Sequence, residues 1–385
     1  MAVTNWIGGL LAVLALAGIV YQFVALVALG RFFDRPAPLT ADGPAVTLLK
    51  PLHGAEPRLA ENLATFLTQD YAAQMQMVCG VNQAQDLAAI TVHELQNRHL
   101  DTDVLLSDGP RLSAANAKVA NLAAMIGHAR YDVLILSDSD IAVARDYLST
   151  VCAALAEPGV GAVTCLYAGR GDAGIWSKIG GAILSYATMP RIVMSLTLGA
   201  ARPCMGSTIA LHRQTLDAIG GFERFADTLA DDYAVGRAVA ELGLDIAVPP
   251  MLVTHAGAER SLGQLWRQHL RWAVTIRGIA PLRHIGSGVV HALPLAVATV
   301  PFLPLPGSIL TIAALCLRTA TLHRVDRIVG RRTAPAWILP VADMMDFAVY
   351  IASLLTSTID WRGRRLTMAG RGRIATVPFS TPEIQ

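Results

Sequence analysis

The chain has 385 residues, 53% hydrophobic and 16% charged, with a net charge of +2 and a mean hydropathy of +0.45. That is too apolar for an ordinary soluble enzyme, too interspersed with charge for a plain membrane bundle, and too nearly neutral for a nucleic-acid binder. Its five cysteines (Cys79, Cys152, Cys165, Cys204 and Cys316) lie far apart with no CxxC, which points to free thiols in a reducing compartment rather than a disulfide framework.

Residues 6–30 carry no charge and are long enough to cross a bilayer core of about 30 Å. No basic residue precedes the run, as a cleaved signal peptide would require. Arg31 and Arg35 come after it, so the positive-inside rule predicts residues 1–35 to be a transmembrane anchor, with its N-terminus outside and the chain beyond Arg31 in the cytoplasm. Residues 44–280, with charges at regular intervals, read as a cytoplasmic domain, and residues 281–360 as membrane helices built on apolar runs at 285–303, 306–320 and 334–357. Residues 361–385 read as a basic cytoplasmic tail. Arg318, Arg324, Arg327, Arg331 and Arg332 separate the last two runs, and Arg362, Arg364 and Arg365 come after the third. Both clusters are expected on the cytoplasmic side, which a single crossing by 334–357 does not allow. Pro340, Asp343 and Asp346 suggest a re-entrant or interfacial path there.

Within 44–280 the signals alternate. Strands are predicted at 45–50, 75–81, 103–106 and 132–137, and helices at 55–69, 86–98 and 113–129. Such alternation implies an α/β domain with a parallel sheet covered on both faces, as in nucleotide-binding folds, where ligands collect at the carboxyl ends of the strands. The stretch ILSDSDI, residues 135–141, delivers Asp138 and Asp140 to such a strand end. Two carboxylates flanking one residue can clamp a hard cation, Mg²⁺ or Mn²⁺, that would neutralise a nucleotide diphosphate. A solvated Asp/Ser turn fits the same letters. Farther on, Asp231 and Asp232 stand at the start of a helical run, where they suit either the helix N-terminus or a general base tuned by its neighbour. In QHLRW, residues 268–272 on a helix beginning near Ser261, Gln268, Arg271 and Trp272 share one face. An amide, a guanidinium and an indole there can hold a diphosphate and a sugar acceptor; a Trp with a snorkelling Arg is the structural alternative.

Taken in order with LLKPLHGAEPRLAENLATFLTQDY (48–71), NAKVANL (116–122), CMGSTIALHRQTLDAIGGF (204–222), LADDYAVG (229–236) and IDWRGRR (359–365), these motifs give the chain a close likeness. It resembles the ceramide glucosyltransferase family, glycosyltransferase family 21, with its bacterial hopanoid-glycosylating relatives and family 2-like kin. The resemblance runs from the α/β domain to the C-terminal segment. It implies a GT-A glycosyltransferase domain flanked by N- and C-terminal transmembrane or interfacial helices, a UDP-sugar donor and inversion at the anomeric carbon. Carried over by motif, it implies Asp138 and Asp140 as metal and diphosphate ligands and Asp232 as general base beside Asp231. Lys118 and Asn121 match positions near the donor nucleotide, and Gln268, Arg271 and Trp272 the diphosphate and acceptor motif.

Two positions depart from the family. GVNQ (80–83) puts Gln83 where the family usually has an aspartate that contacts the nucleotide, with Asp86 three residues on, and Met189 stands where ceramide enzymes carry His before Pro190–Arg191. The stretch 163–181 is closer to the hopanoid-directed relatives, which implies a membrane-lipid acceptor, a hopanoid polyol such as bacteriohopanetetrol or ceramide, and glucose or N-acetylglucosamine as the sugar. A multi-pass protein of the inner (cell) membrane is expected. The rival readings are a processive polysaccharide synthase, which needs more crossings for a channel, and a non-catalytic scaffold with a degenerate domain.

Overall fold

The apolar runs of the first half form strands in the computed structural model, which describes residues 2–40, 42–109, 114–199, 204–361, 364–369 and 373–376. β1 (Val46–Pro51), β2 (Met75–Val81), β3 (Asp103–Asp108) and β4 (Val133–Leu136) run parallel in the order β3-β2-β1-β4. Every residue of β4 is buried, as expected of a strand covered on both faces. β1 leads outward to β2 and β3, while β4 returns to its other side, so a topological switch point lies between β1 and β4.

Next in the chain come β5 (Ile141–Ala142), β6 (Val160–Val163), β7 (Leu166–Gly171), β8 (Ile209–His212), β9 (Asp245–Ala247) and β10 (Leu252–Gly257). The main sheet continues β4-β8-β6-β9, and β8 is antiparallel to both neighbours. The expected all-parallel sheet is therefore mixed. The reason lies in the pairing: the chain turns at the Met205–Thr208 bridge, and Ile209 pairs with Leu136 at the end of β4, so β8 has to run back along it. A second sheet, β5-β10-β7, sets His255 opposite Ile141.

The helices match the expected segments with tighter bounds: Leu59–Leu67, Leu87–Arg98, Ala117–Met125 and Leu262–Ile279. Side chains of Asp86, Asn116 and Ser261 cap the last three by accepting from backbone N–H groups of the first turn.

Among the described residues, four helices are long and apolar enough to cross a membrane: Asn5–Phe33, Ile175–Thr197, Pro304–Val329 and Ile338–Leu355. The second of these lies inside the segment read from sequence as a soluble domain. It carries a π turn at Leu184–Thr188, and its largely buried surface packs on the helix Ala2–Phe33, on β7 and on the helix Ile338–Leu355. The run at 285–303 yields only Ala292–Thr299 after a 3₁₀ turn, too short to span. It packs on the N-terminal helix at Gly18, where a Cβ would fall 2.3 Å from the Val289 carbonyl oxygen.

The cluster of arginines is divided, with Arg331 and Arg332 in the connection that follows the helix Pro304–Val329. Arg318, Arg324 and Arg327 lie on the helix Pro304–Val329, and Arg318 is buried, with Nη2 and Nε 2.6 and 2.8 Å from the two oxygens of Asp343. Arg324 reaches Asp34 at 2.6 Å, so the C-terminal ends of the first and third long helices meet. The segment 338–355 is one continuous helix tied to the α/β domain near both ends. Ala334 N–H donates to Tyr186 Oη, and Arg277 donates to the carbonyls of Leu354 and Thr356. The expected tail begins as an antiparallel meander, Thr358–Trp361, Arg364–Ala369 and Arg373–Thr376, while Arg362 and residues 377–385 lie outside the described residues.

Candidate active site

At the carboxyl end of β4 the backbone leaves the sheet and presents Asp138 and Asp140. Beneath them Lys50, fully buried on β1, donates to Ser137 Oγ at 3.1 Å and to the Asp138 carbonyl at 2.6 Å. Burial lowers its pKa to about 8 against the pull of Asp138 and Asp140. One ammonium thus sits under a pair of carboxylates at the switch point.

Lys118, in the first turn of the helix Ala117–Met125, lies 2.6 Å from Asp138 Oδ1 and 3.3 Å from Asp231 Oδ2, joining two motifs that are far apart in sequence. Burial works against its ammonium, but Asp138, Asp231 and Asp232 raise its pKa. For Asp138, burial and the negative charges of Asp140 and Asp231 outweigh Lys118 and raise the carboxyl.

Asp231 and Asp232 open the helix Asp231–Glu241 and point apart. Asp231 takes Asn116 Nδ2 at 3.3 Å besides Lys118. Asp232 Oδ2 accepts from Gly206 N–H at 3.0 Å and Oδ1 from Tyr233 N–H at 2.7 Å. Burial, with Asp231 beside it, lifts the Asp232 carboxyl to about 6, in the range useful for a base near neutral pH. Gly206 has no room for a side chain: a Cβ would lie 2.8 Å from Asp138 Oδ2 and 3.3 Å from Lys118 Nζ.

On the other flank, His255 Nε2 of β10 lies 3.2 Å from Asp140 Oδ2. Burial disfavours the imidazolium, but Asp140 and the nearby Glu259 raise its pKa to about 9. Asp140 responds in the opposite sense: burial alone would raise its carboxyl, and His255 with Lys50 and Lys118 pulls it below the ordinary value. The His255 ring meets Trp272 edge-on with centroids 6.1 Å apart, and Trp272 meets His269 at 5.1 Å. Burial lowers the His269 pKa to about 4, so that ring is neutral. Gln268 Oε1 accepts from Arg271 Nη2 at 3.2 Å, as expected for one helical face.

The structure therefore brings together Asp138, Asp140, Asp231, Asp232 and Lys118, with Trp272 one ring away through His255 and with Gln268 and Arg271 on its helix. Two further expected donor residues lie at the end of β2, outside the hydrogen-bonded carboxylate cluster. Asn121 is buried and donates to the Gly80 carbonyl at 2.7 Å, supporting the end of β2. Gln83 is exposed just beyond β2. The carboxylate of Asp86 accepts from Ala88 N–H and Gly54 N–H and lies 3.2 Å from His53. Three residues escaped sequence reading: Lys50, His255 and Glu56. Burial, then Asp140, pushes the Glu56 carboxyl to about 7. A charged residue inside a strand run was the only signal for Lys50 and His255.

The family model described as "Glycosyl transferase family 21" matches residues 10–374 of this chain. The chain belongs to that family. Among its curated relatives, ceramide glucosyltransferase 3 of Caenorhabditis elegans is 26% identical over 247 residues, covering 63% of this chain and 52% of the relative. Ceramide glucosyltransferase of Komagataella phaffii is 31% identical over 157 residues, 37% of this chain and 30% of the relative. The family 21 chain thus spans about half or less of the length of these relatives. Among solved structures, a mannosyltransferase from Pyrobaculum calidifontis in complex with GDP-Man and Mn²⁺ superposes with a TM-score of 0.52 at 21% identity, covering 89% of this chain and 99% of that one. At that identity the likeness speaks for the fold, and the α/β domain of this family 21 member is of the GT-A type.

Proposed function

We propose that this chain is a membrane-bound inverting glycosyltransferase. It moves glucose or N-acetylglucosamine from a UDP-sugar to a hydroxyl of a membrane lipid, a hopanoid polyol or ceramide. The observation that carries this reading is the joining, through Lys118, of the strand-end pair Asp138/Asp140 to Asp231/Asp232. The curated relatives are named for transfer of glucose to ceramide. The helix Ala2–Phe33 serves as the anchor, the α/β domain of residues 44–280 faces the cytoplasm at the inner membrane, and the contacts near both ends of Ile338–Leu355 favour an interfacial path for it.

A divalent cation fits these residues. Asp140 Oδ1 is buried without a hydrogen-bond partner, an acceptor suited to a hard cation, although among the described residues no group of three or more His, Cys, Asp or Glu is gathered for one. Asp138 and Asp140 would hold Mg²⁺ or Mn²⁺, which when bound would neutralise charge developing on the departing diphosphate. Arg271 and Gln268 donate hydrogen bonds to the same diphosphate, and Trp272 lines the sugar. Asp232 accepts the proton of the acceptor hydroxyl as its oxygen bonds to the anomeric carbon from the face opposite UDP. The carbon–phosphate-oxygen bond breaks, and UDP leaves with that electron pair. Asp231, held by Asn116 and Lys118, adds negative charge beside Asp232, whose carboxylate Gly206 and Tyr233 N–H orient.

The test is transfer by membranes bearing the protein, with a panel of UDP-sugars and extracted ceramide or bacteriohopanetetrol, read by mass spectrometry. One sugar added per lipid is expected. Products lengthening beyond one sugar would mean a processive synthase, and absence of transfer to every lipid would mean a scaffold.

A further inference from the structure

Apart from the carboxylates, a crevice lies among the N-terminal helix, the middle of the helix Ile175–Thr197, the start of Ala292–Thr299 and the helices Pro304–Val329 and Ile338–Leu355. Its volume is about 30 Å³, and its lining includes Tyr21, Gln22, Tyr186, Arg191, His291 and Asp343. Polar and ionisable groups on membrane-length helices are costly and need partners. Most have them. Arg191 Nη2 lies 2.6 Å from Asp346 Oδ2, His291 Nδ1 lies 3.6 Å from the same oxygen, and Arg318 pairs with Asp343. Those pairs are sufficient to lock the helices together. They leave Gln22 unexplained: its Nε2 donates to the Val290 carbonyl at 3.3 Å, but its Oε1 is buried with no partner and lines the crevice. On a helix whose Phe23 and Val24 are exposed, a leucine would have served the packing better.

An orphaned acceptor beside a cavity with room for about two water-sized groups calls for a ligand that brings hydroxyl donors. The bilayer is the solvent on this side, so the ligand arrives with an apolar body. We propose that this crevice is an acceptor-recognition subsite: it holds polar groups of the lipid next to the reacting hydroxyl, for a lipid bearing two or more neighbouring hydroxyl or amide groups. This rests on the reading of the chain as a lipid glycosyltransferase. The crevice is linked to the chemistry by packing: Tyr186 of its lining shares an apolar cluster with Met189 and Met205, and Met205 precedes the Gly206 whose N–H binds Asp232.

The experiment compares the full-length protein with Gln22→Leu and Tyr21→Phe in membranes. Acceptor KM and kcat are measured with bacteriohopanetetrol and ceramide, UDP release without acceptor and thermal stability alongside. Acceptor KM is expected to rise on the order of tenfold for the preferred lipid, the loss of one or two hydrogen bonds. UDP release, donor KM and kcat at saturating lipid should stay as in the wild type. A purely structural Gln22 predicts the reverse: altered stability, improved by Leu, and unchanged acceptor KM. Wild-type transfer with acceptor KM unmoved in both variants overturns the subsite alone. A wild-type protein that glycosylates neither lipid overturns the lipid-acceptor reading itself.

Discussion

Asp232→Asn keeps the shape of the side chain and removes its basicity. Two opposing costs can be worked from the contacts. The carboxylate accepts from Gly206 and Tyr233 N–H at 3.0 and 2.7 Å; an amide keeps one acceptor and turns its NH₂ toward the other donor, a loss of about 1–3 kcal/mol. Against this, burial and Asp231 hold the folded-state carboxyl at about 6 rather than 3.8. A group whose folded pKa is raised stabilises the fold fully below its unfolded pKa and loses that contribution as pH rises through about 6. At neutral pH the buried charge therefore destabilises by about 3 kcal/mol, which the amide relieves. The two terms offset, and thermal stability at pH 7 should stay close to that of the wild type while turnover falls by about 10² to 10⁴-fold. Wild-type kcat/KM should climb with pH up to about 6 and level above it, and the variant's residual activity should lack that limb. Transfer read by mass spectrometry across pH, with calorimetric unfolding beside it, measures both. Near-normal turnover in Asp232→Asn, or an acid limb that survives it, refutes the assignment, and a dead Asp231→Asn beside it would reverse the two roles.

Asp140→Asn should abolish most transfer and weaken Mn²⁺ binding measured by calorimetry, and undiminished turnover in EDTA would exclude the cation. Gly206→Ala should cut activity sharply with the fold retained by circular dichroism, because the new methyl would press on Asp138 Oδ2 from 2.8 Å; full activity would mean the turn yields. Gln83→Asp should tighten UDP-sugar binding, since a carboxylate makes stronger hydrogen bonds than an amide, and weaker binding in calorimetry would show that the loop after β2 serves another purpose. Arg318→Met should destabilise by about 3–5 kcal/mol by leaving Asp343 buried and unpaired, with most of the loss restored in Arg318→Met/Asp343→Leu; equal unfolding of single and double variants in a thermal scan would count against that pairing.

Local pattern was enough for much of this molecule. Runs such as MQMVCGV are apolar but for Gln76, so strand β2 could be read to the residue, and Asp86 and Ser261 marked helix starts by the side-chain oxygens that cap them, whereas the helix expected from 113 starts only after its cap Asn116. The positions of Asp138, Asp140, Asp231, Asp232 and the Gln268–Trp272 motif, at a strand end, a helix start and a helix face, were likewise legible, while their roles came from the family resemblance. Tertiary structure decided the rest. Nothing local tells that β8 turns back along β4, that β5 pairs with β10 and so brings His255 to Asp140, or that Lys118 joins carboxylates about a hundred positions apart. Arg318 read as one of the arginines separating two apolar runs because a charge in an apolar stretch looks like an interruption, and its pairing with Asp343, on another helix, makes its burial tolerable. The sequence by itself determined which segments would be strands, which helices, and which chemical groups would stand at their ends. Only the folded chain decided which of those ends meet, because charges distant in sequence are brought into contact by packing and register, and their pKa values are set by that contact and by burial.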